Sequence, residues 1–162
     1  MTWYSSTVDT PAGPFTMLAT DDAVLASGWT TDIGALAPLV HRDLRPGTQP
    51  QRRADLGPFT KAVLAYVDGD LAAIDEVPVR QRSGEFLEHA WATLREVREP
   101  VTYTEFAARA GRPAAVRAAA QACARNAVAL FVPCHRVLRL DGSLGGFRWG
   151  LPVKWWLLEH ER

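Results

Sequence analysis

A cysteine followed at once by a histidine, in Pro133-Cys134-His135-Arg136, interrupts an apolar, β-like run over residues 127–140. Such a pair can do nucleophilic chemistry, because an adjacent imidazole can take the thiol proton and leave a thiolate. The same residues also suit a quieter role, since most free cysteines are small buried hydrophobes and His135 can be a satisfied core histidine. Geometry limits the reactive version. Neighbouring side chains of an extended segment point to opposite faces, so His135 needs a bridging water or a local turn to serve Cys134. It also needs an acid to orient its far nitrogen, as in other triads. The stretch Lys154-Trp155-Trp156-Leu157-Leu158-Glu159-His160-Glu161 reads as a helix that can bring one in.

Other reactive groups are sparse. Two cysteines, Cys123 and Cys134, cannot make a disulfide framework, and no Cys-x-x-Cys pair exists. The histidines (His41, His89, His135, His160) lack metal-site spacing, so neither a metal nor a cofactor is expected.

The elements that must position this pair fall into two textures. Residues 3–30 alternate short apolar runs with turn signals, Pro11-Ala12-Gly13-Pro14 and Asp21-Asp22, and read as an antiparallel meander. A helix is expected over 33–40, a polar loop over 42–53 and a second helix over 59–67, which stops at Asp68-Gly69. The short polar segment 78–84 is the candidate boundary. Beyond it, residues 85–97 carry apolar side chains at a 3.6-residue period. Thr102 with Glu105 three places on forms a capping box, so a helix runs over 103–110 to a left-handed stop at Gly111. Pro113 suits the first turn of the next helix, which reaches about Arg125. Two helices joined by a short Gly-containing turn make a helix-turn-helix. Asp141-Gly142 closes a hairpin-type turn after the cysteine. The fold class is therefore α/β (α+β): a small N-terminal antiparallel-sheet domain over 1–80, and a mainly helical domain over 83–162 with a helix-turn-helix and an active-site cysteine hairpin.

On the second helix, Val116, Ala119, Ala120 and Cys123 form the expected buried stripe, with Cys123 structural. The opposite face carries Ala114, Arg117, Ala118, Gln121 and Arg125 and is nearly bare. Such a face can enter a DNA minor groove, only about 6 Å wide. An alanine-rich helix packed inside the protein fits the same composition equally well.

A chain of 162 residues allows one ordinary domain or two small ones. With 48% hydrophobic and 22% charged residues it has a soluble globular balance. No apolar run approaches the roughly 18 residues that cross a bilayer. The start, Met1-Thr2-Trp3-Tyr4, has no secretory character, so a cytoplasmic location and no membrane partner are expected. Eighteen basic and eighteen acidic residues cancel, which counts mildly against nucleic acid. Distribution matters more than the sum. Arg109, Arg112, Arg117, Arg125, Arg136, Arg139 and Arg148 lie close together, with Asp141 the one acid after Glu105 in that stretch.

The motif Pro133-Cys134-His135-Arg136-Val137, the downstream Asp141-Gly142-Ser143-Leu144-Gly145-Gly146-Phe147-Arg148-Trp149-Gly150, and Lys154 with Leu157-Leu158-Glu159-His160-Glu161 resemble the O6-alkylguanine-DNA alkyltransferase family. Asn126, Arg117 and Tyr103 stand at the family's separations. The likeness covers residues 83–161, with a weaker echo in Thr10-Pro11-Ala12-Gly13-Pro14, and Arg148-Trp149-Gly150 is most similar to the alkyltransferase half of the bacterial adaptive-response protein. The resemblance implies a monomer that acts on double-stranded DNA containing O6-alkylguanine through the minor groove. Cys134 would be the nucleophile and alkyl acceptor, His135 its base through a water, Glu161 the group that orients His135, and Asn126 a brace beside the cysteine. Tyr103 would press on the phosphate of a flipped nucleotide and protonate guanine N3. Arg117 would fill the gap in the base stack, with Ala118, Gln121 and Arg125 on the DNA face. The backbone of Val137, Leu144 and Arg148, with Phe147, would line the guanine pocket under a Trp149 lid. The sequence departs from the family in a loop about two residues shorter before Tyr103, in Ala127 for proline, in Phe147 for tyrosine and in Trp149 for a frequent glycine. The last change would disfavour bulky O6 substituents.

Three other functions compete. A non-catalytic module that binds alkylated DNA and recruits repair factors would lack the cysteine. A Cys-His hydrolase would need an oxyanion-hole signature, and none is visible. A DNA-binding regulator would need base-reading side chains where this helix offers mostly alanine.

Overall fold

The computed structural model describes all 162 residues. Alternating side chains and the Pro11-Ala12 turn set β1 (Tyr4–Thr10) against β2 (Gly13–Ala19) as an antiparallel pair, with Tyr4 opposite Ala19. Strand β3 (Val24–Gly28) continues the expected meander along β2. Two residues of the polar stretch, β4 (Gln51–Arg52), add a parallel edge to β1, giving the order β3-β2-β1-β4. That strand is too short and too polar to be read from sequence.

The 33–40 helix is realised as α1 (Ile33–Leu36), where Asp32 accepts from the Gly34 N–H at 2.8 Å, followed by a 3₁₀ turn at Ala37–Leu39. Helix α2 (Pro58–Val67) begins on its proline. Helix α3 (Glu85–Leu94) ends sooner than expected. The chain leaves it so that Val97 enters the core and offers its carbonyl to Arg136 Nη1 at 2.6 Å.

Strand β5 (Val101–Thr102) pairs in parallel with β6 (Val137–Leu138), directly behind the cysteine. The capping box forms as expected and starts α4 (Tyr103–Arg109): Thr102 Oγ1 accepts from the Glu105 N–H, and Glu105 Oε1 from the Thr102 N–H, each at 3.1 Å. Gly111 adopts φ +89°, the left-handed stop that a side chain disfavours. The connection to α5 (Val116–Ala124) is twice the expected length, running over 110–115. Pro113 sits in a separate turn, closed by the Ala115 N–H on the Arg112 carbonyl at 2.9 Å, because the residue before a proline resists helical geometry. Helix α6 (Leu151–His160) completes the fold.

One continuous set of buried side chains runs from Trp3 and Phe15 through Phe59 and Tyr66 to Trp91, Phe106, Phe131 and Leu157. The outer edge of β3 joins the two halves. Val24 exchanges backbone bonds with Pro78 and Arg80, while Ser27 does so with Ala127 and Ala129. The segment leading to the cysteine is thus fastened to the sheet. No helix is long and apolar enough to cross a membrane.

Candidate active site

The loop before the cysteine is built around one amide. Asn126 donates from Nδ2 to the Val132 carbonyl at 2.8 Å, and its Oδ1 accepts from the Val128 N–H at 3.0 Å and Gln81 Nε2 at 2.9 Å. Gln81 Oε1 accepts in turn from the Ala127 N–H at 2.9 Å. Inside this clamp Leu130 is buried at φ +78°, a left-handed conformation costing a non-glycine residue about 1–3 kcal/mol.

The expected extended run through Cys134 is instead a 3₁₀ turn, Cys134–Arg136, before the two residues of β6. Successive side chains of such a turn step round by about a third of a circle, not to opposite faces. The local turn that a Cys-His partnership needs is present.

His135 is fully buried, with Nε2 2.8 Å from Glu161 Oε2. Glu161 caps the end of α6 and accepts three further bonds: Arg136 Nε on Oε1 at 2.9 Å, Arg136 Nη2 on Oε2 at 3.1 Å and the Tyr66 hydroxyl on Oε2 at 2.6 Å. Burial alone would raise the Glu161 carboxyl. The hydrogen bonds from His135 and Arg136, with the Arg136 charge, outweigh it and hold the carboxyl well below the usual range. An ionised Glu161 accepts only, so His135 donates from Nε2 and carries a lone pair on Nδ1. That Nδ1 is buried and bonded to no protein group. Burial also depresses the imidazole pKa, against Glu161, which raises it. His135 is therefore a neutral imidazole with a free basic nitrogen.

Burial pushes the Cys134 thiol up, opposed by the Asn126 hydrogen bond and the Lys154 charge. The resting side chain is thus a thiol, and the thiolate arises only as its proton leaves. Lys154 is fully buried and donates from Nζ to the carbonyls of Val137 at 2.8 Å, Gly146 at 3.4 Å and Leu144. One ammonium so fastens the strand behind the cysteine to the loop before α6.

Cys134 opens on a cavity of about 340 Å³. Of the residues expected around it, Tyr103, Asn126, Phe147, Arg148 and Trp149 line it. Val137 lies fully buried outside the lining, and Leu144 contributes its carbonyl to Lys154 instead. Burial first, then the two cysteines, pushes the Tyr103 phenol up to about 12, so it keeps its proton at neutral pH.

The buried stripe of α5 is rotated from the expected one. Ala119 and Ala122 are fully buried, and the Ala122 carbonyl accepts from Trp91 Nε1 at 2.8 Å. This turns Ala120, Cys123 and Ala124 towards the cavity, so Cys123 lies in its wall together with Cys134. Arg117, Gln121, Arg125 and Ala114 are exposed, while Ala118 is half-buried.

The loop carrying Phe147, Arg148 and Trp149 is held from two sides. Trp149 lies so close to Gly28 of β3 that a Cβ there would sit 2.2 Å from its ring. Phe147 is 6.2 Å from Trp29, itself 4.7 Å from Phe15. Opposite, Arg148 Nη2 donates to the Ala124 carbonyl at the end of α5, at 2.6 Å.

Sequence reasoning passed over Gln81 and Tyr66, and gave Lys154 no role beyond its place in a motif. Gln81 and Tyr66 carry no local signal, since their partners lie 45 and 95 residues away. Lys154 had one: it shares a helical stripe with Val153 and Leu157, where a lysine must find buried acceptors.

The family model described as 6-O-methylguanine DNA methyltransferase, DNA binding domain, matches residues 85–162. The bifunctional transcriptional activator/DNA repair enzyme Ada of Escherichia coli is 45% identical over 52% of this chain, which spans a quarter (25%) of that relative's length. The methylated-DNA–protein-cysteine methyltransferase of Salmonella typhimurium is 30% identical over 95% of this chain and 92% of its own. Among solved structures, Mycobacterium tuberculosis OGT in complex with DNA superposes with a TM-score of 0.79 at 26% identity, covering 98% of this chain and 92% of that one. A likeness that spans both halves of the chain, joined to this cysteine site, makes the protein a member of the methylated-DNA–protein-cysteine methyltransferase family.

Proposed function

We propose that the protein repairs duplex DNA by moving the alkyl group of O6-alkylguanine onto Cys134, once per molecule. The observation that carries this reading is the Cys134 thiol at the wall of a 340 Å³ cavity, backed by the buried His135–Glu161 pair with its free Nδ1.

The neutral His135 takes the thiol proton through a water as sulfur attacks the alkyl carbon. The S–C bond forms, the C–O6 bond breaks, and its electron pair passes into the guanine ring. Tyr103, still protonated, gives N3 a proton, so guanine leaves neutral, and the phenol recovers the proton that left the thiol. Glu161 holds His135 in the required tautomer and stabilises its cation. Asn126 braces the loop and Trp149 covers the base. The thioether has no route back to the thiol, hence one turnover.

A base within a duplex must be extruded to reach this cavity, at a cost of a few kcal/mol. Helix α5 would lie in the minor groove, presenting Ala118, Gln121 and Arg125, with Arg117 in the vacated stack. Residues 83–162 would carry DNA binding and transfer, supported by residues 1–80. A cytoplasmic monomer fits this work.

The test is intact-protein mass spectrometry with a duplex carrying O6-methylguanine, followed by peptide mapping. One methyl group on Cys134 is expected, and none on C134S, which should still bind the duplex. An unaltered thiol at Cys134, or more than one equivalent of demethylated guanine per protein, would overturn the reading.

A further inference from the structure

A second concavity, of about 450 Å³, opens beside the reactive cavity and shares Arg148 with it. Arg42, Arg45, Arg80, Arg82, Arg125 and Arg148 all line it. They come from the loop after the 3₁₀ turn at Ala37–Leu39, the link between the two halves, the residue following α5 and the loop before α6. No carboxylate lines the groove. Asp43 lies next to Arg42 in the chain and approaches Arg82 at 3.5 Å and Arg42 at 3.9 Å, leaving these side chains 56% and 90% exposed. Arg45, Arg80, Arg125 and Arg148 form no ion pair.

A chain with equal numbers of basic and acidic residues has thus gathered six guanidinium groups from distant segments with a single carboxylate, Asp43, beside two of them. Their mutual repulsion is relieved by an anionic partner, and planar guanidinium forks suit phosphate oxygens. The groove starts at Arg125, where the exposed face of α5 ends. A backbone track leaving that helix would run into it.

We propose that this groove holds backbone phosphates of the same duplex, flanking the stretch gripped by α5, so that Arg42, Arg80 and Arg82 extend the DNA interface onto the N-terminal half. The inference rests on the DNA-binding part of the function proposed above. It assigns residues 1–80 a direct part in binding.

The test measures affinity for a lesion-bearing duplex across salt, for the parent, R42A/R80A/R82A, the lysine triple R42K/R80K/R82K, and R52A on the far edge of the sheet. Each lost phosphate contact lowers the slope of log affinity against log salt by roughly 0.9. If all three arginines contact phosphate, the slope falls by roughly 2.7. The affinity lost between about 50 and about 200 mM salt then shrinks by roughly 40-fold. The lysine triple should keep most of the slope, R52A all of it, and alkylation by free O6-methylguanine base should be unchanged throughout. A parent-like slope in the alanine triple, or an equal drop in R52A, would overturn the inference while methylation of Cys134 still stands. Should the alanine triple melt early, R42A, whose side chain is almost wholly in solvent, carries the same test with a slope change of roughly 0.9. Failure of the parent to methylate Cys134 while the arginine-dependent slope persists would sink the chemistry and leave the groove.

Discussion

At the scale of single residues, the proposed mechanism needs a base held neutral beside an acid that stays charged. Glu161 accepts from His135, Arg136 and Tyr66, so its charge is neutralised without being titrated. Replacing it by glutamine keeps an acceptor for Nε2 but removes the charge that stabilises an imidazolium. E161Q should therefore slow alkylation of Cys134, by up to roughly the 10²–10⁴-fold worth of the general base it supports, while leaving duplex affinity intact; an unchanged rate would remove the Glu161 charge from the reaction. Burial lowers the imidazole pKa, and the proposed mechanism uses the deprotonated form. The parent's rate should accordingly persist as pH drops through the ordinary histidine range at about 6.5 and fail only below it, measured by single-turnover methyl transfer from free O6-methylguanine to Cys134. Cys134 and His135 stood out in the sequence as an adjacent thiol–imidazole pair, whereas Glu161 was singled out only by the family resemblance. Tyr66 and Gln81 were not legible, because nothing near them in the chain betrays partners that only the folded sheet and helices bring close.

At the scale of elements, the capping box and the glycine stop of α4 were readable because both are local, made within a few residues. The 3₁₀ turn at Cys134 was not, because an apolar run reads equally as a strand. It is the amide clamp of Asn126 with Gln81, plus the pairing of β3 with residues 127–129, that bends the run into a turn. The placement of Trp149 depends on tertiary contact as well. Trp149 has room only because residue 28 has no side chain, a close approach that neither segment reveals alone. G28A should drive its methyl into the indole at 2.2 Å and cost about 1–3 kcal/mol, as overpacking usually does. Denaturant melts should show that loss in the parent background and little of it in W149G. The double-mutant cycle isolates the contact. Equal losses in both backgrounds would place the strain of G28A elsewhere, and Trp149 would not be anchored on β3.

At the scale of the whole molecule, two textures were visible in the sequence, but the way they share a core and an edge was not. Ser27 and Ala129 lie 102 residues apart, and the hydroxyl-to-carbonyl bond between them at 2.7 Å has no local signature. The same long-range burial gives the protein a pH window. His135 and Glu161 both have depressed pKa values in the fold, so the unfolded chain binds more protons in acid. Stability should then fall below about 6.5, where an unfolded histidine charges, and further below about 4.3, where an unfolded glutamate protonates. Cys134 and Cys123 are raised by burial, so above about 8.5 the unfolded chain sheds thiol protons that the fold retains, and stability should fall again. Lys154 opposes this limb: its lowered pKa lets the fold release a proton before the unfolded chain does, up to about 10.4. Methylation of Cys134 offers a sharp check, because a thioether has no proton to lose. Thermal melts of the unreacted and the fully methylated protein should run parallel on the acid side, and the alkaline fall should be shallower after reaction, with Cys123 and, above about 10, the raised phenols of Tyr103 and Tyr66 accounting for what remains. Identical alkaline limbs would mean that the buried thiol is not the group whose titration opens the fold.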